Sequence, residues 1–100
     1  MPGAQAALIE VVWTASALAD LGEIRAYIGQ FNPRAAREVA ASLKGLGDSL
    51  ATFPNRGRQV PGTTMRELIS PYPYIIRYRI ATGRVAILRV RHGARRPTNP

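Results

Sequence analysis

The sequence predicts an α+β domain of order β-α-α-β-β-β, with a two-helix hairpin packed on one face of a mainly antiparallel sheet. Three observations predict it. The apolar period changes from strand-like to helical after Thr14, an Asn32-Pro33 step joins two helical stripes, and three β-branched and aromatic runs follow residue 63.

Leu8–Thr14 is rich in β-branched residues and reads as the first strand, with Thr14 placed to cap the next segment. Ala17, Leu18, Leu21, Ile24, Ile28 and Phe31 recur at steps of three and four and form one helical stripe. Asp20 and Glu23 are expected on the opposite side, and Gly22 should cost the helix about 1 kcal/mol relative to Ala. Asn32 is a favoured N-cap, and Pro33 at the first helical position loses only an N–H without a helical partner. The second stripe holds Ala36, Val39, Ala40, Leu43, Leu46, Leu50 and Phe53, so a helix from Pro33 to Phe53 would be roughly 30 Å long. Gly47 lies inside that stripe, where it should permit close approach of the first helix. Gly45 lies outside it and predicts distorted last turns.

Residues 54–62 form a loop by their Pro and Gly content. Thr64–Ser70, Tyr74–Ala81 and Arg84–His92 are the remaining strands, the last two joined through Thr82-Gly83. Residues 1–100 thus make a single domain, with 1–7 and 97–100 expected to be flexible ends.

Composition narrows the function. The chain has no cysteine, which excludes disulfides and Cys-ligated metal, and no metal or cofactor is expected. No apolar run reaches the roughly 20 residues that span a bilayer, and the first residues lack a signal-peptide pattern. A cytoplasmic protein without membrane contact is expected. Thirteen of the fourteen basic residues are Arg, and the net charge is +8. Arginine is the planar donor suited to carboxylate and phosphate, so an acidic partner is predicted, either nucleic acid or acidic protein.

With the hairpin turning at Thr82-Gly83, Ile80 pairs with Val85 and Tyr78 with Ile87. One face then holds Tyr74, Ile76, Tyr78, Ile80, Val85, Ile87, Arg89 and Arg91. The other holds Ile75, Arg77, Arg79, Ala86, Leu88 and Val90. Both faces carry apolar residues and Arg, whereas a sheet with one wet face should alternate more cleanly. An amphipathic acidic peptide would bury Ile75, Leu88 and Val90 while pairing with Arg77 and Arg79. Arginine stems lying over the apolar residues would serve equally.

Trp13-Thr14, Ala17, Asp20-Leu21, Ile24, Tyr27-Ile28, Asn32-Pro33 and Ala35-Ala36 stand in order along the first half. Phe53-Pro54, Gly57-Arg58, Arg66-Glu67-Leu68, Pro73-Tyr74, Ile76, Tyr78, Ile87-Leu88, Val90, His92 and Arg95 continue the series. In this order and spacing the chain resembles the RelE/ParE toxin superfamily, and its ParE-like branch more closely, from about Val11 to Pro97. The resemblance implies the toxin component of a type II toxin–antitoxin system that arrests growth. It also implies a cognate acidic, ParD-like antitoxin that neutralises the toxin in a hetero-oligomer.

Two mechanisms follow from the resemblance. A ParE-like toxin poisons DNA gyrase without making or breaking bonds itself, and Arg89, Arg91, Arg95 and Arg96 are then candidate target contacts. A RelE-like toxin is an endoribonuclease acting on mRNA at the ribosome, and needs a base, an acid and cations at the scissile phosphate. The nearest candidates are His92, Arg66, Glu67, Arg77 and Arg89. Lys44 is the only lysine, however, and no tyrosine follows His92, so the lysine-rich region of RelE-like enzymes is missing. The sequence therefore favours the gyrase poison. A degenerate toxin retained as a binding partner is a third reading.

Overall fold

A computed structural model describes residues 9–93. The expected flexible ends, and Leu8 of the first strand, lie outside the described residues. The elements are β1 (Glu10–Trp13), α1 (Ala15–Gly29), α2 (Pro33–Asp48), a 3-10 turn at Ser49–Ala51, β2 (Arg58–Gln59), β3 (Met65–Ile69), β4 (Tyr74–Ala81) and β5 (Arg84–His92). They form one five-stranded sheet of order β1-β5-β4-β3-β2. β1 runs parallel to β5, and the other pairs are antiparallel. The predicted order of elements along the chain holds, with β2 as an addition inside the expected loop. Two residues are too few to leave a periodic signal, and β2 exists through its pairing of Arg58 with Glu67 and Gln59 with Arg66.

Local chemistry starts both helices. The Thr14 hydroxyl oxygen accepts from the Ala17 N–H at 3.2 Å and donates to the Ile87 carbonyl at 2.8 Å, so one side chain caps α1 and ties its start to β5. The Asn32 Oδ1 accepts from the Ala35 N–H at 3.0 Å, with Pro33 opening α2. α2 ends at Asp48 and tightens into the 3-10 turn rather than running on to Phe53. Phe53 therefore leaves the stripe and is 61% exposed. Phe31, beyond the end of α1, is exposed for the same reason.

The core lies between the helical hairpin and one sheet face. Leu43, Leu50, Ile76, Tyr78, Val85 and Ile87 are its largest fully buried side chains. Burying each aliphatic member contributes about 1.5–3 kcal/mol. Trp13 packs against this cluster, and its Nε1 donates to Asp48 Oδ1 at 2.9 Å.

Gly47 makes its close approach to Trp13 of β1, not to α1 as the stripe suggested. A Cβ there would overlap the indole ring and stand 3.3 Å from Ile87 Cδ1. The stripe identified the buried side of α2 but not the neighbour across it. Gly22, by contrast, faces open space.

These two glycines predict opposite outcomes. Gly47→Ala should destabilise the domain by about 1–3 kcal/mol through overpacking, despite the better helix propensity of Ala. Gly22→Ala should stabilise it by about 0.5–1 kcal/mol. Urea titrations of both variants measure this, and equal behaviour would contradict the packing described.

Candidate functional site

The register of the β4–β5 hairpin decides which side chains share a surface. Ile80 pairs with Val85 and Tyr78 with Ile87, as expected, but the next pair is Arg77 with Arg89. Leu88 is therefore an extra residue, a bulge that shifts the alternation of β5 by one position. Val90 then pairs with Ile76 and is buried at 3% exposure on the helix-covered face. The expectation that Val90 lies on the open face with Ile75, Arg77, Arg79 and Leu88 is overturned for this reason. Arg89 and Arg91 likewise leave the register of the covered face and pair with Arg77 and Ile75.

Asp20 sits just beyond the bulge. Expected on the outer side of α1, it is 7% exposed and faces β5. Its Oδ2 accepts from the Val90 N–H at 2.8 Å and from Arg89 Nε at 2.8 Å, while Oδ1 accepts from Arg89 Nη2 at 3.1 Å. The signal was present in the sequence. Asp20 falls three residues after Ala17 and four before Ile24, both of them buried. Burial opposes ionisation of this carboxyl, but the bonds from Arg89 and Val90, with the charges of Arg89 and Arg91, outweigh it. The pKa is held below its ordinary 3.8.

Next to this clasp, α1, α2 and the ends of β4 and β5 enclose an open groove of about 680 Å³. Ile24, Ile28, Val39, Tyr74 and Val90 line it, with Tyr27, Tyr72, Arg89, Arg91 and His92 also around it. His92 stands edge-on to Tyr74, their ring centres 5.3 Å apart.

The open sheet face is built differently. Glu67 is 4% exposed because arginines cover it, with Arg77 Nη2 at 2.6 Å and Arg58 Nη2 at 3.4 Å. Ile69, 65% exposed, pairs with Ile75. Arg79, paired with Met65 and Ala86, extends the same surface. Sequence reasoning missed Arg58 and Ile69 here, because β2 and the pairing partner of β3 were not predicted.

The register places Ile75, Arg77 and Arg79 on one face, and the nuclease candidates divide between that face, the β2 edge and the groove, which Arg89 and His92 share. Glu67 and Arg77 form an ion pair on the open face, and Arg89 is held by Asp20. Arg66 donates to the Gly57 carbonyl at 2.7 Å at the β2 edge, and His92 lies in the groove. Of the target-contact candidates, Arg89 and Arg91 reach the groove, whereas Arg95 and Arg96 lie outside the described residues. Among the described residues, no helix is long and apolar enough to cross a membrane.

Residues 11–97 match the family described as "ParE toxin of type II toxin-antitoxin system, parDE". The chain belongs to this family. It is 54% identical over 88 residues to "Toxin RelE2" of Caulobacter vibrioides, covering 88% of this chain and 99% of that protein. "Toxin RelE1" of the same organism is 36% identical over 77 residues, covering 74% and 82% of the two chains. Among solved structures, the chromosomal ParDE system of P. aeruginosa superposes with a TM-score of 0.79 at 22% identity, over 86% of this chain and 97% of that one. The RelBE2 toxin–antitoxin complex of Mycobacterium tuberculosis gives 0.56 at 22% identity, over 85% and 91%. Both show the fold.

The Asp20 clasp predicts an acid-sensitive stability. Because its folded pKa is depressed, the stabilisation is fully present above the unfolded value of 3.8 and is lost as pH falls through the folded value. Asp20→Ala should cost about 3 kcal/mol near neutral pH, since it leaves the Val90 N–H unpaired and Arg89 without its partner. Unfolding curves between pH 7 and pH 2 should show a shallower acid loss for Asp20→Asn than for the native chain.

Proposed function

We propose that this ParE-family toxin arrests growth in the cytoplasm by poisoning DNA gyrase, as a binding inhibitor without chemistry of its own. The observation that carries the reading is the separation of the candidate acid–base and phosphate-binding side chains. A phosphorane needs base, acid and cations converging within hydrogen-bond reach of one phosphate. Here Glu67 and Arg77 pair on the open sheet face and Arg66 holds a loop carbonyl; of the five candidates only Arg89 and His92 share the groove, where Arg89 is already bonded to Asp20 and His92 packs on Tyr74. The relatives' RelE names supply the competing reading, a ribosome-dependent mRNA endoribonuclease.

Neutralisation is assigned to the open face. Ile69 and Ile75 provide the apolar surface, and Arg77 and Arg79 the charge, that an acidic amphipathic antitoxin segment requires. Such a segment folds as it binds, so its affinity depends on burying these side chains together. Arg77 is already committed to Glu67, which leaves the exposed Arg79 as the cation best placed for a partner carboxylate.

Purified toxin, gyrase and supercoiled plasmid should yield inhibited supercoiling and protein-linked cleaved DNA, while mRNA on translating ribosomes stays intact. His92→Ala should remain toxic. Ribosome-dependent cleavage that disappears in His92→Ala would overturn the gyrase reading. Arg79→Glu should weaken antitoxin binding by roughly tenfold or more, and most at low salt. Unchanged affinity would move the antitoxin to another face.

A further inference from the structure

Tyr78 does something that its position in the core does not require. Its ring is fully buried, yet its hydroxyl accepts from the Gly57 N–H at 2.8 Å and donates to the Pro54 carbonyl at 2.7 Å. Gly57 is pressed so closely on this hydroxyl that an added Cβ would lie 2.7 Å from it and 2.8 Å from the Glu67 carbonyl. Arg66 closes the arrangement by donating to the Gly57 carbonyl at 2.7 Å. The segment after the 3-10 turn is therefore fixed at both ends against the sheet edge.

This fixed segment gathers positive charge. Arg56 donates to Ser49 Oγ at 3.0 Å, and Arg66 donates to backbone carbonyls. Those acceptors are neutral, so these bonds orient the two guanidinium groups without cancelling their charge. Arg58, 64% exposed on its side chain, stands 3.4 Å from a Glu67 that Arg77 already holds at 2.6 Å. Like charges drawn together on a rigid support repel one another until a counter-charge arrives.

We propose that the Tyr78-anchored segment from Phe53 to Arg58, with Arg66, binds the phosphodiester backbone of duplex DNA. The choice of DNA rests on the gyrase reading, since DNA is what a gyrase poison meets. Phosphate contacts require cations and N–H donors at a rigid edge and little apolar surface. That is the composition here, where Thr52, Asn55 and Gln59 accompany the arginines and Phe53 is the one exposed apolar ring. The open sheet face has the opposite character, with Ile69 and Ile75 demanding burial. Because the segment is already held in place, binding requires little further ordering.

The test is fluorescence anisotropy of a short labelled duplex with the toxin alone, across a salt series. Arg56→Gln/Arg58→Gln should reduce the slope of log Kobs against log salt by about two and weaken binding at least tenfold at low salt. The control Arg25→Gln/Arg37→Gln removes the same charge from exposed positions on the helical hairpin, and should leave the slope unchanged. Equal losses in both pairs would mean diffuse attraction to a basic protein and would overturn the site. A preference for single-stranded RNA over the duplex would overturn the choice of DNA. Thermal melts of both double variants check that the fold is retained. Since binding is read without gyrase, a failure to poison gyrase with DNA binding intact would strike the functional reading and leave this site standing.

Discussion

The carboxylate of Asp20 fastens the body of α1 to the far half of β5, beyond the point where Thr14 ties the start of the helix to the same strand. The bulge at Leu88 interrupts the ladder between β4 and β5, and such an interruption leaves backbone groups in need of partners. Asp20 supplies one, taking the Val90 N–H from across the helix–sheet interface, and the same carboxylate turns Arg89 toward α1. The register shift, the buried Val90 and the groove all lie beside this junction. A neutral Asn at position 20 could still accept from the N–H, but without the charge it would hold the guanidinium more weakly.

The sequence made the helices legible because their signals are local. Thr14 and Asn32 cap through bonds to residues three positions on, and Pro33 starts α2 by its own ring. Four of the five strands were equally legible from β-branched runs, whereas the parallel pairing of β1 with β5 was not, because it joins segments at opposite ends of the chain. The bulge was not, because Leu88 is an ordinary apolar residue in a strand and its extra position is set by pairing with a distant segment. One unrecognised residue then sent Val90 to the wrong face. Asp20 was misplaced for a different reason. Charge was given priority over spacing, although its offsets from Ala17 and Ile24 put it on the buried side. Gly47 shows the same limit, since the stripe located the contact and only tertiary structure identified Trp13 as its neighbour.

A net charge of +8 also conceals an uneven distribution. Asp20 and Glu67, the two buried carboxylates, each engage arginines and so remove charge from the surface they underlie. Arg34 and Arg84 are paired with Glu38 and Glu10. Among the described residues, what remains is spread over the open sheet face, the β2 edge, the groove at Arg91 and the helical hairpin at Arg25 and Arg37. Composition predicted an acidic partner but had no means of separating these places, because that separation depends on which arginines the buried carboxylates occupy.

Glu67 connects the open face and the β2 edge. It lies under the open face, its own carbonyl presses on Gly57, and its carboxylate is shared between Arg58 at the edge and Arg77 on the face. The shorter bond to Arg77 leaves Arg58 the more weakly held partner. An acidic segment settling on the face would compete with Glu67 for Arg77, and a released Glu67 oxygen would bind Arg58 more firmly. The edge would then present less free positive charge than in the unbound toxin. Coupling of this kind needs no movement of the backbone, only a redistribution of arginines around one buried carboxylate, and it would let an antitoxin bound to the sheet weaken a contact made at its margin.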